Sequence, residues 1–276
     1  MTQVAAIQMA SGPQPRANLL EAGRLLREAA ARGALVAVLP ENFAFMGMQE
    51  TDTLEIAETA GGDGPMQAFL AQQARELGIW IVGGTIPLRT SMGERVRSAC
   101  LVFDDQGTRV GRYDKIHLFD VRLPENGEAY TESRVFEPGD TVVAIDTPAG
   151  RMGLAICYDL RFPELFRALL DHGAEWVALP AAFTARTGQA HWEPLLRARA
   201  IENQCYLLAA AQGGFHVNGR ETHGHSTLID PWGRVLAELG RSPGVLVDAL
   251  DREQVYRIRR SFPAVDHRRL PGPAAP

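Results

Sequence analysis

Cys157 closes an apolar run, Gly153-Leu154-Ala155-Ile156, and opens a segment, Tyr158-Asp159-Leu160-Arg161-Phe162-Pro163, that carries the signals of a helix start. A cysteine at such a junction suits nucleophilic attack, because a following helix offers free backbone N–H groups and the positive end of its dipole to a thiolate or an oxyanion. Two more strand ends carry reactive groups: Glu41 after Val36-Ala37-Val38-Leu39-Pro40, and Lys115 in Tyr113-Asp114-Lys115-Ile116-His117. Strand ends of an α/β sheet can converge on one crevice. Each residue alone also has a plain reading: Cys157 as core filler, Glu41 as a helix cap, Lys115 as a solvated loop charge.

The elements that must position these groups alternate along the chain. Residues 4–9 read as a strand, 15–31 as a helix with an apolar face of Leu19, Leu20, Ala22, Leu25 and Leu26, and 34–39 as a second strand. A helix over 64–77 and a strand over 79–86 follow. Residues 97–103 and 108–113 flank Asp104-Asp105-Gln106-Gly107, a turn that implies an antiparallel hairpin and hence a mixed sheet. Buried strands are expected at 142–145 and 152–156, then a helix over 163–172, a strand over 176–179, a helix over 189–202 and a strand over 206–211. Three short strands, 225–229, 234–239 and 244–248, are punctuated by Asp230-Pro231-Trp232-Gly233 and Arg241-Ser242-Pro243-Gly244, and residues 251–260 form a last helix. The fold class is α/β.

A chain of 276 residues could hold one large domain or two. The unbroken alternation, without linker, charge block or repeat, favours a single domain over 1–270, followed by a Pro-rich tail at 271–276 with no core of its own. At 46% hydrophobic and 22% charged residues, the composition has ample core for a globular protein. The net charge of −5 and the absence of a long basic run argue against nucleic acid or an anionic membrane as partner. Three cysteines, Cys100, Cys157 and Cys205, are an odd number without metal-site spacing, so reduced thiols are expected. His117, His191, His223 and His225 lack a matching Cys/His pattern, and no metal site is expected. No apolar stretch approaches a membrane span and the N-terminus shows no signal pattern, making the cytoplasm the expected compartment.

The words around the three reactive residues resemble those of the nitrilase, or carbon–nitrogen hydrolase, superfamily. Leu39-Pro40-Glu41-Asn42 is similar to its glutamate motif, Tyr113-Asp114-Lys115-Ile116-His117-Leu118-Phe119-Asp120 to its lysine motif, and Cys157-Tyr158-Asp159-Leu160-Arg161-Phe162-Pro163-Glu164-Leu165 to its cysteine motif. The likeness runs from the first strand through Gly224-His225-Ser226 to His267-Arg268-Arg269. It implies an αββα sandwich of two mixed sheets with outer helices, in subunits that pair as a homodimer or a higher homo-oligomer. It also implies a Glu-Lys-Cys triad, with Cys157 as nucleophile, Lys115 as electrostatic stabiliser, and Glu41 as general base and acid. Glu132, in a loop that also holds Glu125, Glu128 and Glu137, matches an additional glutamate beside the triad. The backbone N–H of Tyr158 would join Lys115 at the oxyanion, and no cofactor is required.

Arg161, four residues beyond Cys157, could bind a substrate carboxylate, or could instead bridge a helix end to Asp159 or Glu164. His191 is a second candidate substrate contact. The segments 118–133 and 187–206 resemble the branch that contains omega-amidase and deaminated-glutathione amidase, the latter more closely around His191-Trp192-Glu193-Pro194. The resemblance implies a small-molecule amide substrate, hydrolysed to 2-oxoglutarate and cysteinylglycine. Omega-amidase activity on short monoamides and N-carbamoyl amide hydrolysis are the rival chemistries. A non-catalytic interaction module on the same scaffold is the rival of another class.

Overall fold

Residues two apart in a strand share a face. In β1 (Thr2–Gln8), Val4 and Ala6 enter one buried apolar cluster while Ala5 and Ile7 enter another, so this strand lies between two layers. The computed structural model, which describes residues 1–62, 64–91, 93–122 and 129–270, shows what those layers are. The remaining strands are β2 (Val36–Val38), β3 (Trp80–Val82), β4 (Ile86–Arg89), β5 (Val96–Phe103), β6 (Arg109–Asp114), β7 (Asp120–Arg122), β8 (Ala129–Thr131), β9 (Ala144–Thr147), β10 (Gly150–Leu154), β11 (Trp176–Ala181), β12 (Tyr206–Ala211), β13 (Gly213–Phe215), β14 (Glu221–His223), β15 (Thr227–Ile229), β16 (Val235–Glu238) and β17 (Gly244–Leu250). The helices are α1 (Pro15–Ala31), α2 (Pro65–Leu77), α3 (Pro163–Asp171), α4 (Ala185–Asn203) and α5 (Arg252–Ser261).

The first sheet runs β17-β1-β2-β3-β5-β4, with β6 also paired to β5, and the second runs β16-β15-β12-β11-β10-β9. Each has a parallel centre, β1-β2-β3 in one and β10-β11-β12 in the other, flanked by antiparallel strands. The centres pack face to face, with Val4, Val36 and Val38 in one apolar cluster with Leu154, Trp176 and Leu208. Leu25 and Leu26 of α1 and Leu70 of α2 cover the outer face of the first sheet through Ala37, Leu39 and Leu101. Phe166 and Leu169 of α3 and Trp192 and Leu196 of α4 pack with the second sheet. The architecture is the αββα sandwich.

Two expected elements change. The strand over 79–86 is broken, with β3 ending at Val82 and β4 beginning at Ile86. Gly83-Gly84 makes the break: Gly84 has φ +54°, and a Cβ there would lie 2.1 Å from the Pro40 carbonyl oxygen. Only glycine lets this turn press against the segment that ends in Glu41. The helix expected from residue 189 begins at Ala185, because the Thr184 hydroxyl accepts from the Thr187 N–H and caps it. The ribbons β7–β8 and β13–β14 were not foreseen, since three-residue strands are too short to show a period. The tail at 271–276 lies outside the described residues, as do Glu125 and Glu128.

Candidate active site

The three strand ends meet. Glu41 follows β2, Lys115 follows β6 and Cys157 follows β10, and all three line one cleft of about 340 Å³. The Lys115 Nζ lies 2.8 Å from Glu41 Oε1 and 2.9 Å from each carboxylate oxygen of Glu132. Lys115 is 2% exposed and Glu41 5%, which rules out a solvated loop charge and an exposed helix cap. Of the other glutamates near Glu132, Glu137 pairs with Arg97 instead. The second Glu132 oxygen also accepts from the Phe119 N–H at 2.6 Å, so this carboxylate ties the lysine to the loop after it.

Cys157 adopts φ +45°, a left-handed conformation that a residue with a Cβ occupies at a cost. It begins a short 3₁₀ turn, Cys157–Arg161, and α3 starts only at Pro163. The helix expected over 163–172 is found at Pro163–Asp171, six residues beyond the cysteine, with the 3₁₀ turn between them. The donor at its sulfur is the Ala182 N–H, at 3.5 Å, from the end of the neighbouring parallel strand β11.

Burial pushes the Cys157 thiol well above the ordinary value, and the Glu41 charge adds to this while Lys115 opposes it. Burial thus favours the neutral thiol at rest, against the pull that a helix end would exert toward thiolate. Burial alone would lower the Lys115 pKa, but Glu132 and Glu41 reverse this and hold it well above the ordinary lysine value. Burial raises the Glu132 carboxyl, with Lys115 pulling it down and Glu41 pushing it up. A neutral thiol is a weak nucleophile until a base takes its proton.

Asp159, fully buried, holds these parts in register. One oxygen accepts from the Tyr113 hydroxyl at 2.7 Å and the Ile156 N–H at 2.8 Å; the other meets the His117 N–H at 3.1 Å and its Nδ1 at 2.7 Å. Tyr113 and His117 bracket Lys115, and Ile156 precedes Cys157, so a single carboxylate joins the lysine loop to the cysteine turn. On the other side, Gln212 donates to the Glu41 carbonyl at 3.0 Å and exchanges hydrogen bonds with Ser11, while the Thr85 hydroxyl accepts from the Asn42 N–H. Sequence reasoning missed Asp159, Gln212 and Ala182 in these positions. Asp159 stood inside the cysteine motif, a polar residue among apolar ones, whereas the Ala182 backbone carries no side-chain signal at all.

Tyr158 and Arg161 line the cleft as well. The Arg161 guanidinium bridges to neither Asp159 nor Glu164. It lies 5.7 Å from the Tyr158 ring centre and 5.1 Å from that of Phe183, with Nη1 3.1 Å from His191 Nδ1. His191 touches this arginine but does not line the cleft.

A family model described as carbon-nitrogen hydrolase matches residues 3–260. Among curated relatives, the deaminated glutathione amidase of Homo sapiens is 42% identical over 96% of this chain and 82% of its own length. That of Synechocystis is 41% identical over 96% and 97%. The crystal structure of the C. elegans NitFhit protein superposes with a TM-score of 0.90 at 36% identity, over 97% of this chain and 65% of that one. Saccharomyces cerevisiae Nit3, a member of branch 10 of the nitrilase superfamily, gives 0.88 at 30% identity over 98% and 97%. Fold, motif positions and likeness along nearly the whole length agree, and the chain belongs to the carbon-nitrogen hydrolase family.

Proposed function

We propose that this protein is a thiol amidase in which Cys157 is the nucleophile, Glu41 the general base and acid, and Lys115 the oxyanion partner. Glu132 fixes the lysine. The observation that carries the proposal is the meeting of Glu41, Lys115, Glu132 and Cys157 in one cleft, with the ammonium bound by both carboxylates. Glu41 takes the thiol proton as the sulfur attacks the amide carbonyl, and Lys115 with the Tyr158 N–H balances the oxyanion. Glu41 returns that proton to the leaving nitrogen as the C–N bond breaks, leaving a thioester. It then takes a proton from water, whose oxygen attacks the thioester, and the acid leaves as the thiol is restored. The Ala182 N–H stabilises the sulfur while it carries charge.

The substrate in this proposal is deaminated glutathione, cleaved to 2-oxoglutarate and cysteinylglycine, with Arg161 holding the carboxylate of the acyl half. Support comes from the relatives named deaminated glutathione amidase and from a guanidinium that lines the cleft without a carboxylate partner among the described residues. The test is a competition assay with deaminated glutathione, 2-oxoglutaramate and an N-carbamoyl amine, using Cys157→Ala as control. Preference for either of the latter two overturns the substrate. Binding without turnover of any amide by the unaltered protein overturns the enzyme and leaves a binding module.

The same proposal has the protein working in the cytoplasm as a single domain that pairs with a second copy. Exposed Trp232 and Phe262, in edge contact at 5.9 Å, offer apolar surface for pairing. A monomeric mass in sedimentation at micromolar concentration would remove the pairing.

A further inference from the structure

A second guanidinium faces the same cleft, and the chemistry above leaves it without a task. Arg220 stands in the turn that joins β13 to β14, immediately before β14, and lines the cleft with Tyr130. Its guanidinium lies 5.3 Å from the Tyr130 ring centre, and Nη2 donates to the Ala182 carbonyl at 3.3 Å. Its Nε–H is shut off from solvent and has no acceptor among the described residues. Among the described residues Arg220 pairs with no carboxylate: its neighbour Glu221 is taken by Arg241, and Glu41 and Glu132 by Lys115. Glu50, the remaining acid of the cleft wall, sits at its exposed rim.

A guanidinium that lines the cleft without a counter-charge among the described residues favours an anionic ligand, and its planar fork is shaped for a carboxylate. Arg161 leaves the nucleophile's own turn, whereas Arg220 arrives from a separate hairpin and rests on a different ring. A substrate with one carboxylate leaves one of these arginines unpaired.

We propose that Arg220 binds a carboxylate on the amine half of the substrate, so that the cleft selects amides bearing a carboxylate on each side of the scissile bond. This rests on the amidase reading above and deepens it. Deaminated glutathione meets the requirement, with one carboxylate beside its keto group and another on its terminal glycine. 2-Oxoglutaramate, whose leaving group is ammonia, lacks the second.

The experiment is a cycle of two proteins and two substrates. Steady-state kcat/KM is measured for the unaltered protein and for Arg220→Ala, each with deaminated glutathione and with its terminal glycinamide analogue. In the unaltered protein, loss of the glycine charge is expected to lower kcat/KM about 10- to 100-fold, mainly through KM. In Arg220→Ala the two substrates should differ by less than about threefold, because the partner is already gone. Arg220→Lys keeps the charge without the fork and should restore part of the discrimination. Equal losses on amidation in both proteins would overturn the assignment, as would discrimination unchanged in Arg220→Lys and Arg220→Ala alike. If the unaltered protein hydrolyses 2-oxoglutaramate but not deaminated glutathione, the substrate reading fails first, and the subsite with it.

Discussion

Replacing Lys115 by methionine removes a cation that two buried carboxylates share. With both carboxyls ionised, Glu41, Glu132 and Lys115 carry one net negative charge; without the lysine they carry two. The two carboxylate oxygens that meet Nζ can be no farther apart than the contacts end to end, about 5.7 Å. At an effective dielectric of about 20, two like charges at that distance repel by about 3 kcal/mol. That matches the roughly 3–5 kcal/mol typical of breaking a buried pair. The same repulsion delays ionisation of one carboxyl above the ordinary glutamate range near 4.3. The sign follows from proton counting. A carboxyl raised in the folded state binds more protons folded than unfolded, so stability falls as pH rises between the ordinary and the raised value, by about 1.4 kcal/mol per unit per proton. Urea unfolding of Lys115→Met should therefore show a deficit of about 3 kcal/mol at pH 8 that shrinks toward pH 5. Turnover should fall about 10²- to 10³-fold, as for loss of one oxyanion donor. A deficit that does not change with pH would refute the shared-cation account, even if activity were lost.

Other substitutions separate chemistry from folding. Glu41→Gln should lose at least about 10²-fold in kcat while its unfolding midpoint stays within a few degrees of the unaltered protein, since an amide can still accept from Lys115. Cys157→Gly should abolish turnover yet raise stability by about 1 kcal/mol in urea unfolding, because glycine tolerates φ +45° without strain. Asp159→Ala leaves the Tyr113 hydroxyl and the Ile156 and His117 amides without their acceptor, and should cost about 3 kcal/mol or more. Iodoacetamide should modify Cys157 slowly at pH 7 and faster as pH rises past the ordinary thiol range, because burial raises its pKa; rapid modification at pH 6 would contradict the neutral resting thiol.

The sequence by itself determined much of the scaffold. The period of the 15–31 segment set α1 at its observed bounds, and the apolar run at 206–211 set β12, because periodicity and side-chain volume are local properties. It also determined which groups could react, since thiol, ammonium and carboxylate chemistry is fixed by residue type at Cys157, Lys115 and Glu41. The resemblance singled out Glu132 among the glutamates of its loop, and only the tertiary structure decided that both of its oxygens meet the lysine, because that depends on how a loop closes over a distant strand end. It decided that the cysteine rests as a thiol, since pKa follows burial and neighbouring charge, and neither is visible in a linear order of residues. It placed a backbone N–H, that of Ala182, at the sulfur, and Arg220 beside Arg161 in the same cleft. Those pairings join residues 25 and 59 positions apart through the parallel order of one sheet and the fold of one hairpin, and no local pattern encodes either.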